Sequence, residues 1–439
     1  MAMSPEDMEK RRQRRQAQLK KQRAQRRKLR LGLAAAVVVL GLCAFGIYYF
    51  VENTPQGEAT VQSAIPETTA STTAPTEETS PVRESTTTIH LRAAGDLNVT
   101  DSVVDAGLAA SGFDFTRAFQ DVASTLSDAD LTLLNLEGNI YGETYGTATT
   151  SAPYKLLTAL RNAGVDLIQM ANSCSINNGL IGLSSTLQAI RTAGMEPVGA
   201  YASPNEFRRS KGYTICEIQG LRVAFVAFTK GVGGRGMPAG NEDCVNLLYL
   251  DYDSTYKKVD TQGITKILSD VKAEKPDFTV ALLHWGSENN DTISSTQESI
   301  VKLLQKNGVG LIIGTHPHLV QEIDYNESAG TLVAYSLGDF FGDANRGATN
   351  YSVILDVEIT KDENAGTTKV TDYTLHPIYT VRETECVGNN DRRVVRIGTA
   401  LTAYNGNFLD KVTDSCKESM EYALTRIDER TAVKEEEDK

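Results

Sequence analysis

Side chains able to hold a metal ion or carry a proton fall at a few places in this sequence: Asp96, Glu137, a loop with Asn172, Ser173 and Cys174, then His284, and the pair His316 and His318. Each follows an apolar run. In open α/β folds ligands collect just past the carboxyl ends of such strands. Three of the chain's five histidines belong to this set. Two carboxylates and three imidazoles make a mixed oxygen and nitrogen donor set suited to Mn, Fe or Zn. One or two such divalent ions would activate water and neutralise charge on the group attacked. In the His-Pro-His stretch, Pro317 disfavours a helical His316, and residues two apart in an extended segment point to one side. Both imidazoles are therefore expected to face one ion.

Taken singly, these residues have plainer readings. A lone acid at a strand end is usually a helix cap or turn residue, and His284 beside the only tryptophan, Trp285, could simply be packing. His90 and His376 lack comparable surroundings and read as structural. The weight rests on the set, so the elements that position it matter.

From Ile89 onward, strand and helix patterns alternate. IHLRAAGD reads as a strand ending at Asp96, LTLLNLEG as one ending at Glu137, and VDLIQMANS as a third. PYKLLTALRNAG and SSTLQAIRTAG read as helices closed by glycine. TICEIQGLRVAFVAFT suggests a hairpin turning near Gln219 and Gly220. A helix over ITKILSDVKAEK, a strand over DFTVALLHWGSE, a helix over TQESIVKLLQKNG and strands over VGLIIGTHPH and TLVAYSLGDF follow. That order implies an α/β fold with a largely parallel sheet flanked by helices. YSVILDVEIT and TKVTDYTLHPIYT look antiparallel and suggest a second sheet. The tail from about residue 394 reads as helical and ends in KEEEDK.

The chain has 439 residues, 41% hydrophobic, enough for a real core but not evenly spread. Its first thirty residues carry twelve Lys or Arg against Glu6, Asp7 and Glu9. Residues 31–51, LGLAAAVVVLGLCAFGIYYFV, contain no charge and at ~1.5 Å per residue give roughly 31 Å of helix, enough to span a bilayer core. The basic cluster keeps the N-terminus cytoplasmic by the positive-inside rule, so the expectation is a single-pass cell-membrane protein with its main domain outside. A cleavable signal peptide is the competing reading, but the long basic arm and the lack of a convincing A-x-A site favour an uncleaved anchor. The basic arm reads as a topology determinant, not a nucleic-acid surface, and no nucleic-acid partner is expected.

Residues 52–88 are Thr, Ser, Glu and Pro with almost nothing to bury, a disordered stalk. The organisation expected is therefore a basic cytoplasmic arm at 1–30, a transmembrane helix at 31–51, the stalk at 52–88, a folded domain at 89–385, and a C-terminal helical extension with an acidic tail at 386–439. With the basic arm set apart, the remainder is more acidic than the −12 of the whole chain. An acidic substrate would then need a bound cation or a local cluster such as Arg208, Arg209 and Lys211. Six cysteines, one of them in the apolar run, leave an odd number elsewhere, and their sparse spacing argues against a disulfide framework.

Together GD at 95–96, NLEG at 135–138, ANSCSINNG at 171–179, HWGSE at 284–288, GTHPHLVQ at 314–321 and YSLGDF at 335–340 resemble the ordered motifs of the CapA family, capsule and poly-γ-glutamate biosynthesis proteins related to the calcineurin-like metallophosphatases. The similarity spans about residues 88–380. It implies a metallophosphatase-like α/β sandwich with mixed sheets and a role in making or exporting an anionic cell-surface polymer. The implied partners are that polymer or its precursor and a membrane synthesis or export complex. It also implies metal ligation by Asp96, Glu137, His284, His316 and His318, catalytic roles for Cys174 and His284, and substrate contacts from Asn172, Ser173 and Glu288.

The third motif departs from the family pattern A-N-N-H-x-L-D-x-G: Ser173 stands for its second Asn, Cys174 for its His and Asn177 for its Asp. In the related phosphatases that Asn ligates metal and that His protonates the leaving group. Ser is a poor neutral ligand, and an unperturbed thiol, with a pKa of about 8.5, is mostly protonated at neutral pH. A degenerate centre is favoured over a rewired one. Asp339 stands where the last motif usually has Asn, adding a carboxylate without an assigned role. Two functions remain open, a metal-dependent hydrolase or transferase and a non-catalytic polymer binder on the same fold.

Overall fold

The computed structural model of the chain describes residues 86–344, 347–385, 392–405 and 412–431. The expected basic arm, the span at 31–51, most of the stalk and the acidic tail lie outside these residues. Among the described residues no helix is long and apolar enough to cross a membrane.

The chain runs from β1 (Thr86–Asn98) through a small ribbon of β2 (Leu108–Ala109) and β3 (Gly112–Phe113) to β4 (Leu131–Glu137), β5 (Leu167–Gln169) and β6 (Glu196–Val198). A hairpin of β7 (Tyr213–Ile218) and β8 (Leu221–Thr229) follows, turning at Gln219 and Gly220 as expected, then β9 (Phe278–His284), β10 (Leu311–Thr315), β11 (Ile323–Asn326), β12 (Thr331–Ala334) and β13 (Asp339–Phe341). β14 (Tyr351–Asp362), β15 (Thr367–Val381) and β16 (Arg393–Arg396) complete the strands.

Two large mixed sheets result. The first has the order β16-β15-β14-β1-β4-β5-β6, with β13 lying against the far end of β1, and the second has the order β11-β12-β10-β9-β8-β7. β1, β4, β5 and β6 are parallel, as are β8, β9, β10 and β12. In the second sheet alternation decides which layer each residue enters. Val223, Phe225 and Ala227 of β8 and Val280 and Leu282 of β9 join the core shared with the first sheet. Ala224, Val226, Phe228, Ala281 and Leu283 face the opposite way, against the helices Thr261–Ala273 and Ser295–Lys306. Those helices are started by side-chain caps, Asp260 on the Gly263 amide and a Ser294/Gln297 capping box. The helices Lys155–Asn162 and Gly179–Thr192 give way at Gly164 and Gly194, both at positive φ, as their sequences indicate.

Three expectations are corrected. β14 and β15 are antiparallel but do not build a second sheet; β14 pairs with β1 along Thr86–Ala93 and widens the first one. The second sheet is instead made by the middle of the chain. Residues 86–88, read as stalk, belong to β1 and pair with Asp362, Lys361 and Thr360, because threonine suits an extended strand even where the local composition looks unstructured. The region after 386 is not solely a helical extension, since β16 pairs with β15 before the helices Ile397–Asn405 and Asp414–Thr431 begin.

Candidate metal centre

Strand register alone brings the first half of the centre together. In β1 and β4, Asp96 lies opposite Asn135 and Asn98 opposite Glu137, while Asp339 of β13 is the neighbour of Asp96 on the other side. This contact is close enough that a Cβ on Gly95 would sit 1.8 Å from the Gly338 carbonyl oxygen. Only a residue without a side chain lets β13 approach here. In the second sheet His284 ends β9 in register with Thr229 of β8 and Thr315 of β10. Trp285 is buried on the opposite, helix-covered side of the second sheet, its indole donating to the Tyr335 carbonyl at 2.9 Å, so the packing role belongs to the tryptophan and not to His284.

All five expected metal ligands converge and all are buried. Asp96, Glu137 and His284 form one group of donor atoms within 4.8 Å of one another, Asp96, His318 and Asp339 a second, and Glu288, His316 and His318 a third. The His284 and His316 rings lie 4.5 Å apart between centroids. His316 and His318 do not sit in an extended strand: both have positive φ, 94° and 59°, in a bend after β10. Such backbone is costly for residues with side chains and persists where the surroundings demand it. The bend sends His316 toward His284 and His318 toward the carboxylates.

Charge is divided unevenly over this cluster. Burial raises the Asp96 carboxyl, but His318, the Asn135 amide at 2.7 Å and the His316 backbone amide at 3.0 Å outweigh it and hold it below its usual value. Burial, with the neighbouring Asp96 charge, pushes Glu137 well above the carboxylate range, and burial likewise raises Asp339. Burial opposes a charge on His318, yet Asp339 at 2.8 Å, with Asp96 and Glu137 behind it, pushes the imidazole up to about 12. The other two imidazoles go the opposite way. Burial, reinforced by the neighbouring cations, lowers His316 to about 3 and His284 well below its ordinary value.

A metal ion fits this donor set on a specific observation. Nε2 of His284 and Nδ1 of His316 are buried nitrogens with no hydrogen-bond partner, burial holds both rings below their ordinary pKa and so neutral, and Nδ1 of His284 lies 3.7 Å from Glu137 Oε1. Thr315 Oγ1 lies 3.2 Å from His284 Nδ1 and orients the ring for use of its other nitrogen.

The third-motif loop takes two different roles. Ser173 Oγ donates to Glu137 Oε2 at 3.1 Å, and the Cys174 sulfur lies 3.9 Å from the same oxygen. Burial, then the Glu137 charge, pushes the Cys174 thiol up to about 12. Asn172 departs from its expected place as a substrate contact. It is fully buried, its amide donating to Asn135 Oδ1 and to the Leu136 carbonyl while its own oxygen accepts from the Cys174 amide, so it holds the loop against β4. Glu288 lines an open cleft of about 460 Å³ with Ser173, His316, Lys230, Gly233 and Tyr256.

Several residues of the site were not singled out from the sequence. Asn98 donates to Asp339 at 2.9 Å, and Asn135 braces Asp96. Both were findable, since each lies two residues from an expected ligand on the same strand and so on the same face. Lys230, immediately past the apolar run AFVAFT, obeys the strand-end rule that marked the others. By contrast Arg208 and Lys211, expected as an anion cluster, line a different cavity with Glu242 and Asp243. His90 and His376 lie beside Asp356 on the first sheet, away from the centre. Among the described residues Cys174, Cys216 and Cys244 are free thiols.

A family model described as bacterial capsule synthesis protein PGA_cap matches residues 90–344, more than half of the chain. The chain is 26% identical over 205 residues to the capsule biosynthesis protein CapA of Bacillus anthracis, covering 47% of each sequence. It is 25% identical over 218 residues to the PGA biosynthesis protein CapA of Bacillus subtilis, covering 49% of this chain and 53% of that protein. The chain thus spans about half the length of the curated relatives it matches. Among solved structures, a calcineurin-like phosphoesterase of Bacillus subtilis is similar with a TM-score of 0.40 and 17% identity, over 77% of this chain and 99% of that one.

Proposed function

Because this chain belongs to the bacterial capsule synthesis protein family PGA_cap, we propose that it is a membrane-anchored component of capsule or poly-γ-glutamate-type surface polymer synthesis or export, with a metal-dependent hydrolase or transferase centre facing the outside of the cell. Its partners are an anionic surface polymer or precursor and a membrane synthesis or export complex. The anchor rests on residues 31–51 and the basic arm before them. The observation that carries the chemistry is the convergence of Asp96, Glu137, His284, His316 and His318 around two buried imidazole nitrogens without partners.

Asp96, Glu137 and His284 would hold one divalent ion, and a second would be held either by Asp96, His318 and Asp339 or by Glu288, His316 and His318. Bound ions of the Mn, Fe or Zn class supply Lewis acidity and a water of lowered pKa. The chain's own residues do the rest. Asn135 and the His316 amide fix the Asp96 carboxylate, Thr315 fixes the His284 ring, and Ser173 holds one oxygen of Glu137. Cys174 keeps its proton at neutral pH, which argues against a thiolate nucleophile or a thiolate ligand there.

Elemental analysis of the purified full chain after Mn or Zn loading should find bound metal, accompanied by hydrolysis within a panel of small phosphodiesters. A chain that retains no transition metal after loading removes the metal-dependent reading. The family role is tested separately, by deleting the gene: unchanged surface polymers would count against it.

A second reading, a non-catalytic polymer binder, is favoured by Ser173 and Cys174, which leave the centre without its usual amide ligand and imidazole acid. Activity that appears only in the double variant Ser173→Asn, Cys174→His supports that reading. Activity already present in the unmodified chain excludes it.

A further inference from the structure

The cleft beside the metal centre contains one ammonium group whose placement the reading above does not use. Lys230 follows β8 directly, and its amide donates to the His284 carbonyl at 2.8 Å, which locks its backbone next to a metal ligand. Its Nζ donates to the Gly286 carbonyl at 2.7 Å and lies 4.8 Å from the centre of the Tyr256 ring. Among the described residues no ion pair is formed by Nζ; the nearest carboxylate influence is Glu288, which lines the same cleft and favours the charged ammonium against its burial. An ammonium has three donors and one is used here, so two remain for a ligand.

The surroundings aim those donors into the cleft. Lys230 shares it with Ser173 and His316, so it borders the groups nearest the proposed ions. Across from it, the turn at Gly233 and Gly234 has two successive residues at positive φ, 69° each. Arg235 at the end of this turn bonds Asn177, tying the turn to the third-motif loop. A Cβ on Gly233 would come within 3.0 Å of the Ser173 carbonyl, whereas one on Gly234 would meet nothing within 4 Å. The turn therefore packs closely on the third-motif loop at Gly233, and both of its glycines line the cleft together with Lys230.

We propose that Lys230 is the anion-recognition residue of this centre, and that its substrate carries an oxyanion group, phosphoryl or carboxylate, next to the bond that reacts. This rests on the metal-centre reading for the location of the reacting group. The physical reason is local: a distant acidic surface is screened beyond a Debye length of about 8 Å, while a partly desolvated ammonium at contact distance is not. The Tyr256 face fixes the direction of the side chain, and the Gly286 carbonyl fixes its height in the cleft.

The test uses the full chain purified in mild detergent, once stripped with chelator and once loaded with Mn. Isothermal titration is run with inorganic phosphate and, separately, with a short γ-glutamyl oligomer. The unmodified chain should bind at least one of them, and which one it binds identifies the oxyanion. Lys230→Gln should weaken that binding by about tenfold or more, and Lys230→Arg should retain most of it, as loss of a hydrogen bond from a charged donor requires. Metal content, measured on the same samples, should be equal in all three proteins. Protection of Lys230 from amine acylation by the bound probe gives a second measurement that needs no variant. Binding by Lys230→Gln within about twofold of the unmodified chain, absence of binding to either probe, loss of metal from Lys230→Gln, or unprotected acylation would each overturn the assignment. If none of the proteins holds metal yet the stripped chains still differ in probe binding, the metal reading fails and Lys230 stands.

Discussion

At the scale of single residues, the centre works by making three imidazoles unlike one another. His284 and His316 are stripped of solvent and kept neutral, while His318 is surrounded by Asp96, Asp339 and Glu137 and kept protonated in the metal-free chain. The neutral pair is ready to coordinate. How well His284 would do so depends on its neighbour, the Thr315 hydroxyl, which lies 3.2 Å from Nδ1 and bears on the orientation of the ring. Thr315→Val keeps the shape and removes this contact, and metal affinity should fall by about 10–100-fold with little change in the fold. Competition against a chelating dye measures this directly, and an unaltered affinity would mean that the ring is held by packing alone.

At the scale of elements, the first sheet is cross-braced on a face remote from the centre. Arg92 of β1 reaches Asp356 of β14 through Nη2 at 2.7 Å and Nε at 2.9 Å, and donates a further bond to the Thr125 carbonyl in the helix Thr116–Ser127. His90 of β1 and His376 of β15 flank the same carboxylate at 3.4 and 3.8 Å. Burial would raise the Asp356 carboxyl, but His376, Arg92 and His90 outweigh it and bring it down to about 2. A carboxyl depressed in the folded state contributes stability that is complete above its unfolded value of about 3.9 and disappears as pH falls through the folded one. Asp356 should therefore add on the order of 2 kcal/mol at neutral pH, lost between about pH 4 and pH 2. Urea unfolding of the unmodified chain and of Asp356→Asn across that interval tests it. The gap between the two should narrow toward low pH, and a constant gap would assign the effect to the lost contact geometry and not to charge.

At the scale of the whole molecule, the candidate ligands come from both sheets: Asp96, Glu137 and Asp339 from the first, His284 and the bend after β10 from the second. The centre therefore sits across the apolar layer joining the two sheets, and an ion bound there favours the assembled state over the unfolded chain. At a free metal concentration one hundred times the dissociation constant, this is worth about 2.7 kcal/mol. Thermal unfolding with and without Mn should show a higher midpoint when loaded, increasing with metal concentration. An identical midpoint would imply that the folded chain binds no ion at the concentrations used.

The residues that converge in the candidate centre are mostly marked in the sequence, for a physical reason. Each ligand follows a short apolar run, and the runs are so uniformly buried, as in β4 and β9, that a polar group at their end stands out. The hairpin at Gln219 and the glycine-closed helices were equally visible, because turn and cap chemistry is local. The pairing of β14 with β1 was not, since an antiparallel pattern reveals that a strand has partners but not which ones. Nor were the positive φ values of His316 and His318, the inward commitment of Asn172, or the closeness of Lys230 to His284. Local sequence determined which residues end strands and carry donors. Only tertiary structure decided which of those ends meet, because register between distant strands is set by burial summed over both sheets and by the glycines that let them approach.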